Sequence, residues 1–275
     1  MLESRVKTGL RKQRVSREAI PKARPRKSKW LPSIPEVEVY KAHRRNMSHA
    51  DAVRECAALT ELFQGMGVRK PIMVELSRIL DALRAKKIPF VLTGAHGISG
   101  WTGRPRATKD VDILVKSGRN YVRAVNAIKA LYPQLEVRNI HGVTAFFAPG
   151  EFESLIDITY PQREDNAETL RTAVWVEDDK GKYRVPALEA ALANKYGAML
   201  SLGRDPGKRG LDAVDFYNMV KHSMDQGRTP IDLERLAELG EKVWPGGGGK
   251  EILGLVEQVM SGKLPSVAVP EPPTS

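Results

Sequence analysis

The feature that most constrains the fold is a change of hydrophobic period along the chain. Short β-type runs come first, at Phe90–Thr93, Val111–Val115, Leu135–Val137, Val143–Phe147 and Leu155–Thr159, with a helix predicted over 119–132. After Pro186 the apolar residues recur only at helical spacing, in segments near 187–200, 211–222, 231–240 and 250–260. Two helices precede the strands. Ser48 and Asp51 form a capping pattern ahead of Val53, Cys56, Ala57 and Thr60, in a helix ending by Phe63 before Gly65 and Gly67. Residues 71–87 place Ile72, Leu76, Ile79, Leu80 and Leu83 on one face, with Lys86 and Lys87 at the cation-favouring C-terminus. Strands followed by helices predict an α/β (α+β) domain over 46–180 and a helical one over 181–263.

Charge separates the N-terminus from the rest. Residues 1–29 hold eleven Lys and Arg against Glu3 and Glu18, so they carry nine of the chain's eleven net positive charges. With Pro21, Pro25, Pro32 and Pro35 and few large apolar side chains, residues 1–45 are predicted to be a disordered basic arm. Such an arm either condenses on RNA or DNA by releasing counterions or serves as a solubilising extension. The Pro-rich residues 264–275 are expected to be a disordered tail.

Several function classes are excluded. No run approaches the roughly 18 to 20 apolar residues of a membrane span. The single cysteine, Cys56, has no partner for a disulfide, and the basic N-terminus lacks a signal-peptide core, so a reducing cytoplasm is expected. The five histidines, His43, His49, His96, His141 and His222, show no metal-ligand spacing, and no G-x-S-x-G elbow is present. The glycines of residues 90–115 fit neither a Walker A loop nor a Rossmann fingerprint. Gly246–Gly249 is read as a flexible link.

The chemistry concentrates in Phe90 to Val115. Asp110 and Asp112 are two apart in a β-type run, so their carboxylates leave one face from points roughly 6.6 Å apart. Two such charges repel unless a cation sits between them, and magnesium takes oxygen ligands of this kind. Asp157, amid Leu155, Ile156 and Ile158, is a third carboxylate on an apolar strand and costs free energy unless paired or metal-bound. The alternative for each is a solvated or salt-bridged carboxylate. Gly94, Gly97 and Gly100 follow the first strand, and Gly94 starts a tight turn into a helix whose backbone N–H groups can approach a phosphate.

These residues together resemble the nucleotidyltransferase superfamily, the fold of DNA polymerase beta, and within it the minimal AbiEii-like toxin nucleotidyltransferases. The resemblance lies in Gly94 and Ala95 at the turn, Gly103, Arg104, Arg106 and Thr108 as a G-x-x-R-x-T-like segment, the D-x-D of Asp110 and Asp112, and the later Asp157. It covers residues 88–160 well and 186–221 more loosely. It implies a mixed sheet flanked by helices, with Asp110, Asp112 and Asp157 as catalytic metal ligands. Gly94, Ala95, His96, Arg106, Thr108 and Lys195 would bind nucleotide. Ala95 departs from the family's second glycine or serine, leaving phosphate contact to backbone N–H groups, with His96 either helping or hydrogen-bonded locally. Arg106 either contacts nucleotide or pairs with an aspartate.

Lys195 falls on the apolar stripe of Leu188, Leu192 and Met199, so it either faces the triphosphate, as the resemblance implies, or snorkels at the stripe's edge. Lys208, Arg209, Asp212 and Asp215 resemble the family's R/K-x-x-D-x-x-D helix, and the two aspartates are placed to pin Lys or Arg side chains. The implied activity is transfer of a nucleoside monophosphate from an NTP, with two Mg2+ ions, or Mn2+ in their place. The implied acceptor is RNA of a tRNA-like kind, held by the basic arm, in a toxin-antitoxin-type role with a neutralising antitoxin as partner. The alternatives are a non-catalytic nucleotide- or nucleic-acid-binding module, or transfer to a protein or small-molecule hydroxyl.

Overall fold

A computed structural model describes residues 47–66, 72–140, 142–225 and 228–267. The basic arm, Gly67, His43, His141 and the end of the Pro-rich tail lie outside them.

The first helix, α1 (His49–Gly65), starts where Ser48 Oγ accepts from the Asp51 backbone N–H at 3.1 Å, satisfying one of the open donors of its first turn. Helix α2 (Leu76–Ala85) buries Leu76, Ile79, Leu80 and Leu83. It is shorter than 71–87 because Ile88 N already turns back to Leu83 O at 3.0 Å. The chain then alternates through β1 (Phe90–Leu92), α3 (Gly94–Thr102), β2 (Val111–Val115), α4 (Arg119–Leu131), β3 (Glu136–Ile140), β4 (Val143–Phe147) and β5 (Ser154–Thr159).

These strands form one mixed sheet in the order β1-β2-β5-β4-β3. Strand β2 is parallel to β5 and antiparallel to β1, while β4 is antiparallel to both of its neighbours. The parallel pair requires a crossover, which α4 and the β3–β4 hairpin supply. The strand period then divides β2 between two faces. Val111, Ile113 and Val115 join Ile156, Ile158 and α4's Ala124, Ala127 and Ile128 in a first core, which leaves Asp112 on the opposite face.

Helix α5 (Glu164–Thr172) and the hairpin of β6 (Val174–Asp178) and β7 (Gly181–Val185) come next. The domain boundary read at 180/181 falls in the turn of this hairpin. Val176, Tyr183 and Val185 all belong to the first core, so that core extends to Val185. Helices α6 (Leu188–Leu200), α7 (Pro206–Ser223), α8 (Leu233–Val243) and α9 (Gly248–Met260) build a second core around Leu192, Tyr196, Phe216, Leu236 and Ile252. The observed architecture is therefore the expected one, a mixed sheet flanked by helices with a helical C-terminal part.

One local reading is corrected. Gly248 and Gly249 are the first residues of α9 rather than part of a link. A Cβ on Gly248 would lie 2.2 Å from Gly240 O, so the missing side chain lets α8 and α9 touch backbone to backbone. Helix α5 was unread because the face it buries is polar, with Asp165, Glu168 and Thr169 inside. Glu168 is neutralised by Arg171, Arg235 and Lys242.

Candidate functional site

The parallel pairing of β2 with β5 builds the site. Its register sets Asp112 opposite Asp157 on adjacent strands, and Asp110 enters β2 one residue before its first paired position. One oxygen from each of Asp110, Asp112 and Asp157 lies within 4.8 Å of the other two. Thr108 Oγ1 donates to Asp110 Oδ1 at 2.7 Å, and its own backbone N–H is held by Thr60 Oγ1 at 3.2 Å, which fixes that carboxylate's orientation.

The carboxylates repel one another in partly buried surroundings. Burial first, then the charges of Asp110 and Asp157, push Asp112 well above the usual carboxylate range against the opposing pull of Lys195 and Arg204. Asp157 is pushed up to about 6, chiefly by burial, and Lys208 and a hydrogen bond from Ser154 limit the rise. Its Oδ1 is buried and has no hydrogen-bond partner. Ionised carboxylates accept hydrogen bonds but donate none, so three facing one another favour a cation between them. The three residues therefore fit a divalent ion with oxygen ligands.

Gly94 abuts this cluster. It takes φ +59°, and a Cβ there would fall 1.8 Å from Asp112 Oδ2, so only glycine lets the helix start so close to the carboxylate. Gly97 N bonds Thr93 O at 2.9 Å, leaving the N–H groups of Gly94, Ala95 and His96 ahead of the first intrahelical bond of α3. The side chains of Ala95 and His96 are buried.

His96 is not locally hydrogen-bonded: neither ring nitrogen has a partner. Burial, only partly offset by Asp110, pushes its pKa down to about 4, so the ring is neutral at pH 7. Arg106 forms a two-pronged bond to Asp215, Nε to Oδ1 at 3.1 Å and Nη2 to Oδ2 at 2.8 Å. Lys195 does not snorkel. Its Nζ lies 2.8 Å from both Asp212 Oδ1 and Asp215 Oδ2. Burial opposes its charge, but Asp215 and Asp212 outweigh it and hold the ammonium above its ordinary range.

Asp212 also takes Arg204 Nε at 2.5 Å, so three cations share two carboxylates behind Asp112. Arg204 was missed by the sequence reading because it sits in the α6–α7 connection, outside any period. Pinning of Lys and Arg by Asp212 and Asp215 is as their spacing predicts.

No protein-family model matches this chain, and no curated protein does. Among solved structures it is similar to an antigenic nucleotidyltransferase-like protein from Paracoccidioides brasiliensis, at 16% identity and a TM-score of 0.39, over 68% of this chain and 92% of that one. It is also similar to the antibiotic-resistance factor ANT(2'')-Ia, at 15% identity and 0.38, over 60% and 86%. A third likeness, at 13% identity and 0.27 over 83% and 89%, is to terminal uridylyl transferase 4 from Trypanosoma brucei with bound CTP. No helix among the described residues is long and apolar enough to cross a membrane.

Proposed function

We propose that the protein transfers a nucleoside monophosphate from an NTP to an acceptor hydroxyl with release of pyrophosphate. One observation carries this reading: three strand-borne aspartates bring ligand oxygens within 4.8 Å of one another while Asp157 Oδ1 stays buried and unpartnered. Asp110 and Asp112 would hold the Mg2+, or Mn2+, that meets the triphosphate, and Asp157 would complete a second site, a pair that stabilises the entering and leaving oxygens of an in-line displacement.

The chain's own groups do the remaining work. Thr108 holds Asp110 in place, and the open N–H groups of Gly94, Ala95 and His96 donate to phosphate oxygens. The acceptor oxygen forms a bond to the α-phosphorus as the bond to the bridging oxygen breaks. Asp157 helps take the acceptor's proton, and pyrophosphate carries away the displaced electron pair. Lys195 and Arg204 supply positive charge near Asp112 that opposes charge developing on the phosphates.

The acceptor in this reading is RNA, with the basic residues 1–29 as its electrostatic hold, in a cytoplasmic toxin-antitoxin-type role with a neutralising antitoxin as partner. Support comes from the arm's charge, the single cysteine and the sequence resemblance. The test incubates the protein with each α-labelled NTP, Mg2+ and total RNA, beside Asp112→Ala. Label entering RNA only with the unaltered chain is the expected result. Label entering protein instead changes the acceptor. No label from folded protein that still binds NTP refutes transfer to RNA or protein and leaves the non-catalytic nucleotide-binding module or a small-molecule acceptor absent from the mixture.

A further inference from the structure

A second concave site lies at the other end of α3. Gly94, the helix's first residue, packs on Asp112, whereas Gly100 and Trp101 near its last turn line a cleft of about 550 Å3. Seven helical steps lead from Gly94 to Trp101, a rise of about 10 Å. The cleft therefore stands apart from the carboxylates on the same rigid element.

Its lining is aromatic and basic. Trp101 and Trp175 contribute indoles, His49 and His222 imidazoles, and Arg228 a guanidinium, beside the hydroxyl of Thr229, and none of the described lining residues is acidic. Trp101 is fixed by a 2.8 Å bond from Nε1 to Pro186 O and by an edge contact with His49 at 5.0 Å. His49 is itself held by Gly97 O at 3.1 Å.

Trp175 is different. It is 68% exposed on strand β6, and the guanidinium of its cross-strand partner Arg184 lies 5.7 Å from the ring centroid. An indole braced in this way, with most of its surface in water, is a stacking platform. Burial holds both imidazoles below their ordinary range, so the positive charge of the cleft comes from Arg228.

We propose that this cleft binds a nucleotide, with the base stacked on Trp175 and the phosphate held by Arg228. A planar π-system carrying an anionic group matches an indole platform beside Arg228, with no acidic side chain among the described lining residues. The volume suits a ligand of that size. The nucleotide is either free or part of a single strand. The inference does not rest on the transfer reaction.

The test uses the full chain, Trp175→Ala, Arg228→Ala and Asp112→Ala, with circular dichroism to confirm folding. AMP and UMP are titrated by calorimetry at moderate salt, and a single-stranded RNA oligomer carrying 4-thiouridine is photocrosslinked and its attached peptides are mapped. Trp175→Ala should weaken binding about tenfold, Arg228→Ala should weaken it also, and Asp112→Ala should leave the cleft's binding intact. Crosslinks at residues 174–176 or 228–229 assign the cleft to a nucleotide within a strand. AMP or UMP binding that the two cleft variants weaken, without such crosslinks, assigns it to the free nucleotide. Affinities unchanged in both cleft variants, with crosslinks confined to other peptides, overturn the proposal. Absence of label transfer by the unaltered chain, with intact cleft binding, counts only against the function proposed above.

Discussion

Replacing Gly94 with alanine separates two costs that the structure assigns to different places. The first is conformational: positive φ costs an L-residue about 1 to 2 kcal/mol, a fall in Tm of roughly 2 to 8 °C for a chain of this size. The second is steric and local. The new Cβ would sit 1.8 Å from Asp112 Oδ2, and even a 3.0 Å contact requires the carboxylate to retreat by about 1.2 Å. A displacement near 1 Å in a reacting constellation costs about 10²-fold in rate.

Gly262 provides the control. It also has positive φ (+80°), its Cβ would meet nothing within 4 Å, and it ends α9, where Lys263 N bonds Gln258 O at 2.9 Å. Gly262→Ala should therefore lower Tm by a similar amount and leave nucleotidyl transfer and Mn2+-induced stabilisation unchanged. Gly94→Ala should lose both. The assays are label transfer from an α-labelled NTP and thermal melting with and without Mn2+. Transfer and metal response within twofold of the unaltered chain in Gly94→Ala would show that Asp112's position near the helix start does not matter to the site.

Other outcomes follow from the same charges. In chelator, Asp112→Asn should raise Tm, because it removes one of three repelling carboxylates, while abolishing transfer; an unchanged or lower metal-free Tm contradicts the repulsion. Asp157 titrates near 6 when folded against an ordinary 3.8, so the folded chain keeps a proton that the unfolded chain has released. The associated stability is present below pH 4 and is lost as pH rises through 6, on the order of 3 kcal/mol. The Tm gain from Mg2+ or Mn2+ should consequently grow between pH 5 and pH 7.5, and a pH-independent gain would exclude this origin. Asp215→Ala leaves Arg106 without its carboxylate and Lys195 with one partner, and should cost about 3 to 5 kcal/mol in urea unfolding. A loss under 1 kcal/mol would mean that water solvates the gap.

Much of the architecture was legible because most strands of the sheet have their own local pattern; β3, read at Leu135–Val137, runs instead over the largely polar Glu136–Ile140. Val111–Val115 and Val143–Phe147 appear residue for residue as read, since aliphatic and aromatic runs bounded by turn residues have few alternatives. The inward aim of Lys195 was likewise written in the stripe of Leu188, Leu192 and Met199, all of them buried. Helix α5 was not legible, because its buried Glu168 is neutralised from α5 and from α8, so no apolar period marks it. The hairpin of β6 and β7 did carry a signal: Val176, Tyr183 and Val185 are buried while Trp175 and Glu177 are exposed.

The candidate site divides along the same line. By itself the sequence determined that Asp112 lies on the face opposite Val111 and Ile113, because side chains alternate along a strand, and it set Asp110 just ahead of that strand. It also determined that Asp157 lies on a strand of its own. Only the tertiary structure decided that this strand is the parallel neighbour of β2, in a register that sets Asp157 beside Asp112. It alone placed Gly94 against that carboxylate and turned Arg106 toward Asp215. Strand period and helical stripe are properties of neighbouring residues, whereas register and ion pairing between distant segments depend on which surfaces the folded chain brings together.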